Sequence, residues 1–140
     1  MRALIDTCVI IDALQERRPF ADEAKEVFRA AAACLFDGYI AAKASADIYY
    51  IMHRHTHDGM AARETLRKIY TLFSLLDTTA EDCINALALA MSDYEDAIMS
   101  ATAARAGMDC IVTRNIRDYA VSPVPAYTPD EFLSLIRRTS

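Results

Sequence analysis

"RALIDTCVIID", residues 2–12, places a carboxylate inside an apolar run. Ala3, Leu4 and Ile5 read as a short strand. The apolar residues that resume at Cys8, Val9, Ile10 and Ile11 read as a helix through Leu14. A strand that passes at once into a helix, with Asp6 at the joint, is how an α/β chain begins. Asp6 then has two readings: a helix cap that accepts a backbone N–H, or one half of a metal site.

Downstream, the same alternation repeats. "ADEAKEVFRAAAACLF" (residues 21–36) carries Ala24, Val27, Phe28, Ala31 and Leu35 at helical spacing, and "DG" at 37–38 is expected to end it as a turn. "YIAA" (39–42) reads as a strand and "KASADIYYIMHRH" (43–55) as a helix. After Gly59, "MAARETLRKIYTLFSLL" (60–76) shows an amphipathic face of Leu66, Ile69, Tyr70 and Phe73, with a strand expected near Leu75–Asp77. "TAEDCINALALAM" (79–91) opens with Thr79 as cap and Asp82 at the third helical position. "SDYEDAIMSATAARAG" (92–107) reads as a helix capped by Ser92 and stopped by Gly107. "CIVT" (110–113) is an apolar strand, and "PDEFLSLIRR" (129–138) a closing helix with Pro129 at its start. Strands and helices in turn predict a three-layer α/β/α sandwich with a central parallel sheet, forming one domain over residues 1–140. Ligands in such folds bind beyond the carboxyl ends of the strands, where chain order switches.

Bulk properties narrow the function classes. The chain has 140 residues, 54% of them hydrophobic, which suits a packed globule. Charges interrupt every apolar stretch well before the ~18 residues a bilayer requires. The N-terminus lacks the basic and apolar regions of a signal peptide, so no membrane association and a cytoplasmic location are expected. Cys8, Cys34, Cys83 and Cys110 are widely spaced and sit among apolar neighbours, as reduced, mostly buried thiols do. A net charge of −5 argues against indiscriminate coating of nucleic acid, though not against a local basic surface. No phosphate-binding glycine loop of either common pattern occurs.

The acids are the informative residues. Asp6 follows the first strand. Asp47 falls on or beside the stripe Ala44, Ile48 and Ile51, where an ionised carboxylate is costly unless it is paired with an arginine or bound to metal. Asp93 and Asp96 share a face at the start of a helix, where the dipole also favours acids. Thr113, Asn115 and Asp118 follow the strand at 110–113, where they also suit a polar turn. A parallel sheet would bring these places to one edge. Carboxylates gathered there cannot all stay ionised without a cation, and hard oxygen ligands suit Mg²⁺ or Mn²⁺.

Together, Asp6 after its strand, the acid in "ASADIYYI", and "DYEDAIMSATAARAGMDCIVTRN" with its trailing "RDY" resemble the PIN domain family over nearly the whole chain. The resemblance implies a metal-dependent ribonuclease. It also implies the toxin of a bacterial toxin–antitoxin pair, with an antitoxin protein as partner and RNA as substrate. Carried over, it makes Asp6, Asp47 and Asp96 the acids that hold Mg²⁺ or Mn²⁺. Asn115 and Asp118, with Asp93, would position water or a second ion. Thr113 would orient a ligand or phosphate, and Arg114 and Arg117 would contact the RNA backbone. The family commonly has Glu where this chain has Asp47, an acid where it has Asn115, and Asn where it has Cys8. Asn115 is the main support for the alternative, a catalytically impaired PIN-like module that binds RNA or protein. The Leu66/Ile69/Tyr70/Phe73 face would serve a homodimer if it were not all internal.

Other motifs have plainer readings. His53 and His57 would share a helix face as zinc ligands do, but no third ligand is suggested. A solvated helix end, with Arg54 as a phosphate contact, fits better. Arg17, Arg18 and the Arg63/Arg67/Lys68 face read as solvated surface or backbone contacts. Tyr49, Tyr50 and Tyr119 read as core, with base stacking as the alternative. Cys8, in a first helical turn, is where the dipole lowers a thiol's pKa, but no neighbouring base is evident.

Overall fold

The computed structural model describes residues 1–139. Its strands are β1 (Arg2–Ile5), β2 (Asp37–Ala41), β3 (Ser74–Leu76), β4 (Cys110–Val112) and β5 (Ala126–Tyr127). Its helices are α1 (Thr7–Leu14), α2 (Ala21–Ala32), α3 (Ala44–Thr56), α4 (Gly59–Leu72), α5 (Ala80–Ala86), α6 (Tyr94–Arg105) and α7 (Pro129–Thr139), with a 3₁₀ turn at Ile116–Tyr119. The strands form one parallel sheet in the order β3-β2-β1-β4-β5. The chain steps from β1 to β2 on one side, and later places β4 on the other. The switch point, where a crevice opens above the strand ends, therefore lies between β1 and β4.

Side chains alternate across the central strands, and both faces are covered. Ala3, Ile5, Cys110 and Val112 belong to the larger core, with buried residues of α1, α2, α3, α4 and α7. Leu4 and Ile111 face the other way, onto Met99 and Ala103 of α6. The three layers expected from the alternation are present. Helix α6 lies close because its buried positions are small: Ala97, Ser100, Ala101 and Ala103 are all under 9% exposed.

Several boundaries differ from the sequence reading. Asp37 and Gly38 do not turn; they begin β2, paired with Arg2 and Ala3. Gly38 is there for space, since a Cβ at that position would lie 2.6 Å from the Phe73 ring. Helix α2 ends at Ala32, before Cys34 with φ of 57°, and α5 ends at Ala86. The cap of α6 is Asp93 rather than Ser92, its carboxylate accepting the Asp96 N–H. Within the α4 stripe Ile69 and Phe73 are core, while Tyr70 is 39% exposed. Cys34 is exposed, contrary to expectation, whereas Cys110 is buried. The 3₁₀ turn and two-residue β5 were not legible: each is too short to set up a periodicity.

A buried polar network locks α5 to α6. Asp82, with no exposed surface, completes a capping box with Thr79. It also accepts from the Thr102 hydroxyl at 3.2 Å and from Arg105 Nε at 2.8 Å, while Arg105 donates onward to the Asp77 carbonyl.

Candidate active site

Asp6 stands at the N-cap position of α1, yet its side chain makes no capping hydrogen bond. The capping reading therefore fails for the carboxylate. The Asp6 N–H donates to the Val112 carbonyl, extending the β1–β4 ladder by one step. That register sets Asp6 beside Thr113, whose hydroxyl donates to Asp6 Oδ2 at 2.8 Å. The same hydroxyl oxygen accepts the Asn115 N–H at 3.1 Å, so one threonine holds both the acid and the following turn.

From the other side comes Tyr119, delivered by the 3₁₀ turn and only 3% exposed. Its hydroxyl lies 3.1 Å from Asp96 Oδ1 and 3.5 Å from Asp6 Oδ2, so it bridges the first turn of α6 to the end of β1. It carries one proton and donates mainly to Asp96, the nearer acceptor. Burial, then the charges of Asp6 and Asp96, push the phenol far above its usual range, so it remains a donor.

Asp96 is pushed up to about 6. Burial is the largest cause, opposed by the Tyr119 hydrogen bond and reinforced by the negative charges of Asp93, Asp6 and Asp118. Four carboxylates from two strand ends and one helix start therefore act on one another across this crevice. A bound cation relieves such repulsion, and an all-oxygen donor set matches the preference of Mg²⁺ or Mn²⁺. In that sense the residues fit the ion, although no group of three His, Cys, Asp or Glu converges tightly enough to form a ready-made ligand cage among the described residues.

Asp47 is placed differently. Ala44 and Ile48 are buried, but Asp47 is exposed in the first turn of α3, so the expected desolvation cost does not arise. It has neither an arginine partner nor a hydrogen bond to Asp6 or Asp96 among the described residues. Its helix still starts at the carboxyl edge of the sheet, and Lys43 just before it lies 3.8 Å from Glu95 in α6. Asp118 and Asn115 are both exposed on the turn after β4.

Arg114, expected at the RNA backbone, is engaged inside the protein. Its Nε lies 2.8 Å from Asp12 Oδ2, in an ion pair too oblique for a well-aligned hydrogen bond, and its guanidinium covers the Phe20 ring at 4.6 Å. Asp12 is buried and its Oδ1 has no hydrogen-bond partner among the described residues. Burial pushes the Asp12 carboxyl up, and Arg114 opposes this. Sequence reading missed Asp12 because it looks like one polar position in an apolar helix, and its partner Arg114 lies far along the chain. Arg117 remains exposed. Cys8 is no activated thiol: burial, then Asp6, push it up to about 11, and it rests 3.8 Å from the Thr113 hydroxyl. His57 adopts φ of 55° beyond the end of α3, and His53 stacks on Tyr49, so the paired-ligand geometry does not form. A cleft of about 550 Å³ beside α7, lined by Tyr127, Glu131 and Arg138, contains none of the candidate site residues.

Asp96 should make stability depend on pH in a definite direction. In the metal-free chain its pKa lies above the ordinary carboxylate value, so the folded state resists ionising it. That contribution is intact below about pH 4 and is lost as pH rises through about 6. Asp96→Asn should therefore gain stability relative to wild type between pH 4.5 and 7.5. For a group open to solvent screening the gain is on the order of 1 kcal/mol. Urea unfolding in EDTA at both pH values checks this; a difference that does not change with pH refutes it.

Three layers, a parallel sheet and carboxylates gathered at its switch point define an α/β protein with an acidic, oxygen-lined crevice. The PIN domain family model matches residues 2–117, and the chain belongs to that family. Among solved structures it is similar to VapBC2 from Rickettsia felis bound to a promoter DNA fragment, with a TM-score of 0.71 at 14% identity over 91% of this chain and 98% of that one. It is also similar to a toxin–antitoxin complex from Klebsiella pneumoniae, with a TM-score of 0.66 at 24% identity over 91% and 97%. A third is VapC20 of Mycobacterium tuberculosis, a toxin that cleaves the sarcin–ricin loop, with a TM-score of 0.58 at 15% identity over 78% and 86%. No curated protein matches the chain by sequence.

Proposed function

We propose that this PIN domain is a ribonuclease that hydrolyses RNA phosphodiester bonds with Mg²⁺ or Mn²⁺, as the toxin of a toxin–antitoxin pair. The observation that carries the reading is the Tyr119 bridge between Asp6 and Asp96, with Asp93 and Asp118 close enough to raise Asp96. Asp6 and Asp96 would hold the ion, with Asp93 and Asp118 beside them and Asp47 at the rim. When bound, such an ion lowers the pKa of water and offsets charge developing on the phosphate. The chain's own groups do the positioning. Thr113 fixes the Asp6 carboxylate and the Asn115 backbone, while Tyr119 sets the distance between the two central acids. Arg117, exposed on the same turn, is available to a phosphate.

The toxin role rests on family and on structural neighbours described as VapBC and toxin–antitoxin complexes. An antitoxin and a second copy of the chain are the proposed protein partners. Ile84 and Leu87, both more than 60% exposed, supply apolar surface for one of them. The alternative, an RNA- or protein-binding module without activity, is favoured by Asn115, whose amide cannot neutralise charge. Incubating the purified chain with single-stranded RNA, with Mn²⁺ or with EDTA, decides between them. Metal-dependent cleavage is expected. Calorimetry showing no Mn²⁺ binding, together with no cleavage, would favour the module.

A further inference from the structure

Helix α3 carries more than an acid in its first turn. Asp47, Tyr50, Ile51 and Arg54 fall on one side of it, at helical spacings of three and four. Tyr50 is 63% exposed, a large aromatic held out in solvent and braced edge-on by Tyr49 at 5.3 Å. Beyond it, Ile51, Arg54 and His55 form one wall of a cleft of about 390 Å³, whose other wall is Gln15 and Arg17 from the loop after α1. Arg17 is oriented by two hydrogen bonds to the Gln15 side-chain oxygen, a neutral partner, and its charge also acts on the buried Asp12 carboxyl. Arg54 has no ion-pair partner among the described residues. No carboxylate lines the cleft among the described residues. In a chain of net charge −5, a concave site with two guanidiniums and an imidazole and no acid is a local reversal of sign.

The spacing supplies a direction. Seven residues separate Asp47 from Arg54, roughly 10 Å along a helix. That is a span of one to two nucleotides of extended single strand, with the Tyr50 ring between its ends. We infer that α3 and the loop after α1 form a binding track for single-stranded RNA, leading away from the candidate active site. Tyr50 stacks on an unpaired base, and Arg17 and Arg54, with His55, hold a backbone phosphate in the cleft. The track rests on the ribonuclease reading and adds to it a site for the strand outside the scissile position, on α3 and the loop after α1.

The test is binding of a fluorescent single-stranded oligoribonucleotide to the full chain in EDTA, across a series of salt concentrations. Arg17→Ala with Arg54→Ala should weaken binding about tenfold or more and flatten the salt dependence, the slope falling by roughly 0.7 for each phosphate no longer neutralised. Tyr50→Ala should weaken binding about fivefold or more with the slope unchanged, because stacking is not ionic. A duplex of the same sequence should respond to the arginine substitutions but not to Tyr50→Ala. All three side chains are exposed, and thermal melting checks that the variants fold; Arg54→Glu, a charge reversal, should exceed the alanine effect. Wild-type affinity and slope in the arginine double variant would overturn the phosphate site, and an unchanged Tyr50→Ala affinity would overturn the stacking. A wild-type chain that cleaves RNA while these variants bind normally loses the track alone. Failure to cleave any RNA with Mn²⁺ is a failure of the ribonuclease reading.

Discussion

Asp6→Asn and Asp96→Asn should each reduce metal-dependent RNA cleavage by at least about a hundredfold, while leaving the fold intact. Both substitutions keep the shape of the side chain and remove one negative charge from the crevice. An asparagine amide oxygen at position 6 can still accept the Thr113 hydroxyl, and one at position 96 can still accept from Tyr119. The hydrogen bonds at 2.8 and 3.1 Å therefore survive. What disappears is charge, the property that binds a divalent cation. Tyr119→Phe makes the opposite change, keeping every carboxylate and removing the bridge; its expected cost is nearer tenfold, as for groups that orient ligands. Initial rates with Mn²⁺ for the three variants, beside Mn²⁺ titration by calorimetry, test the scheme. Cleavage by both asparagine variants at the wild-type rate would remove the active site from this crevice.

Asp82→Ala should be among the most destabilising single changes in the chain, although it lies outside the candidate site. Its carboxylate closes the capping box of α5 and receives Thr102 and Arg105, all with no exposed surface of its own. Removing it leaves the Thr79 N–H without an acceptor, the Thr102 hydroxyl with only the Thr78 hydroxyl at 3.3 Å, and Arg105 without its ion-pair partner. Together these cost about 2–4 kcal/mol, near 10 °C in Tm for a chain of this size. Burial alone would raise the Asp82 pKa, but Arg105 and the Thr79 groups prevail and hold it below the ordinary value. Its contribution is therefore present at neutral pH and lost as pH falls below the usual carboxylate range. Thermal melting of the variant at pH 7 and pH 3 should show the gap from wild type shrinking in acid. A gap of equal size at both would mean that volume, not charge, carries the effect.

Much of the architecture was legible along the chain. The strand–helix alternation is local, set by periodicities of two and 3.6 residues. So is the Thr79/Asp82 capping box, which needs only a spacing of three. Where the reading failed, a distant residue had intervened. "DG" at 37–38 has turn chemistry, but Gly38 is a glycine because Phe73 occupies the space its side chain would need. Asp47 was expected to be desolvated on the strength of its helix stripe, and lies just outside it. Arg114 reads as a free cation until Asp12, from the first helix, is seen beside it.

The same division runs through the candidate site. The order of residues sets which groups can be there: acids after β1 and at the start of α6, and a Thr-Arg-Asn turn after β4. It determined that a parallel sheet would carry them to one edge, because that follows from chain order and the hand of the crossovers. The pairings themselves come from how the sheet and its helices pack. Thr113 meets Asp6 because β4 lies directly against β1 in one register, and Tyr119 joins Asp6 to Asp96 because a 3₁₀ turn aims it inward. The Thr113–Asp6 and Tyr119–Asp96 bonds span 107 and 23 residues of chain. No local periodicity encodes a distance of that kind; it is set by the packing of the whole sheet and its helices, which is where the charge of Asp96 is decided too.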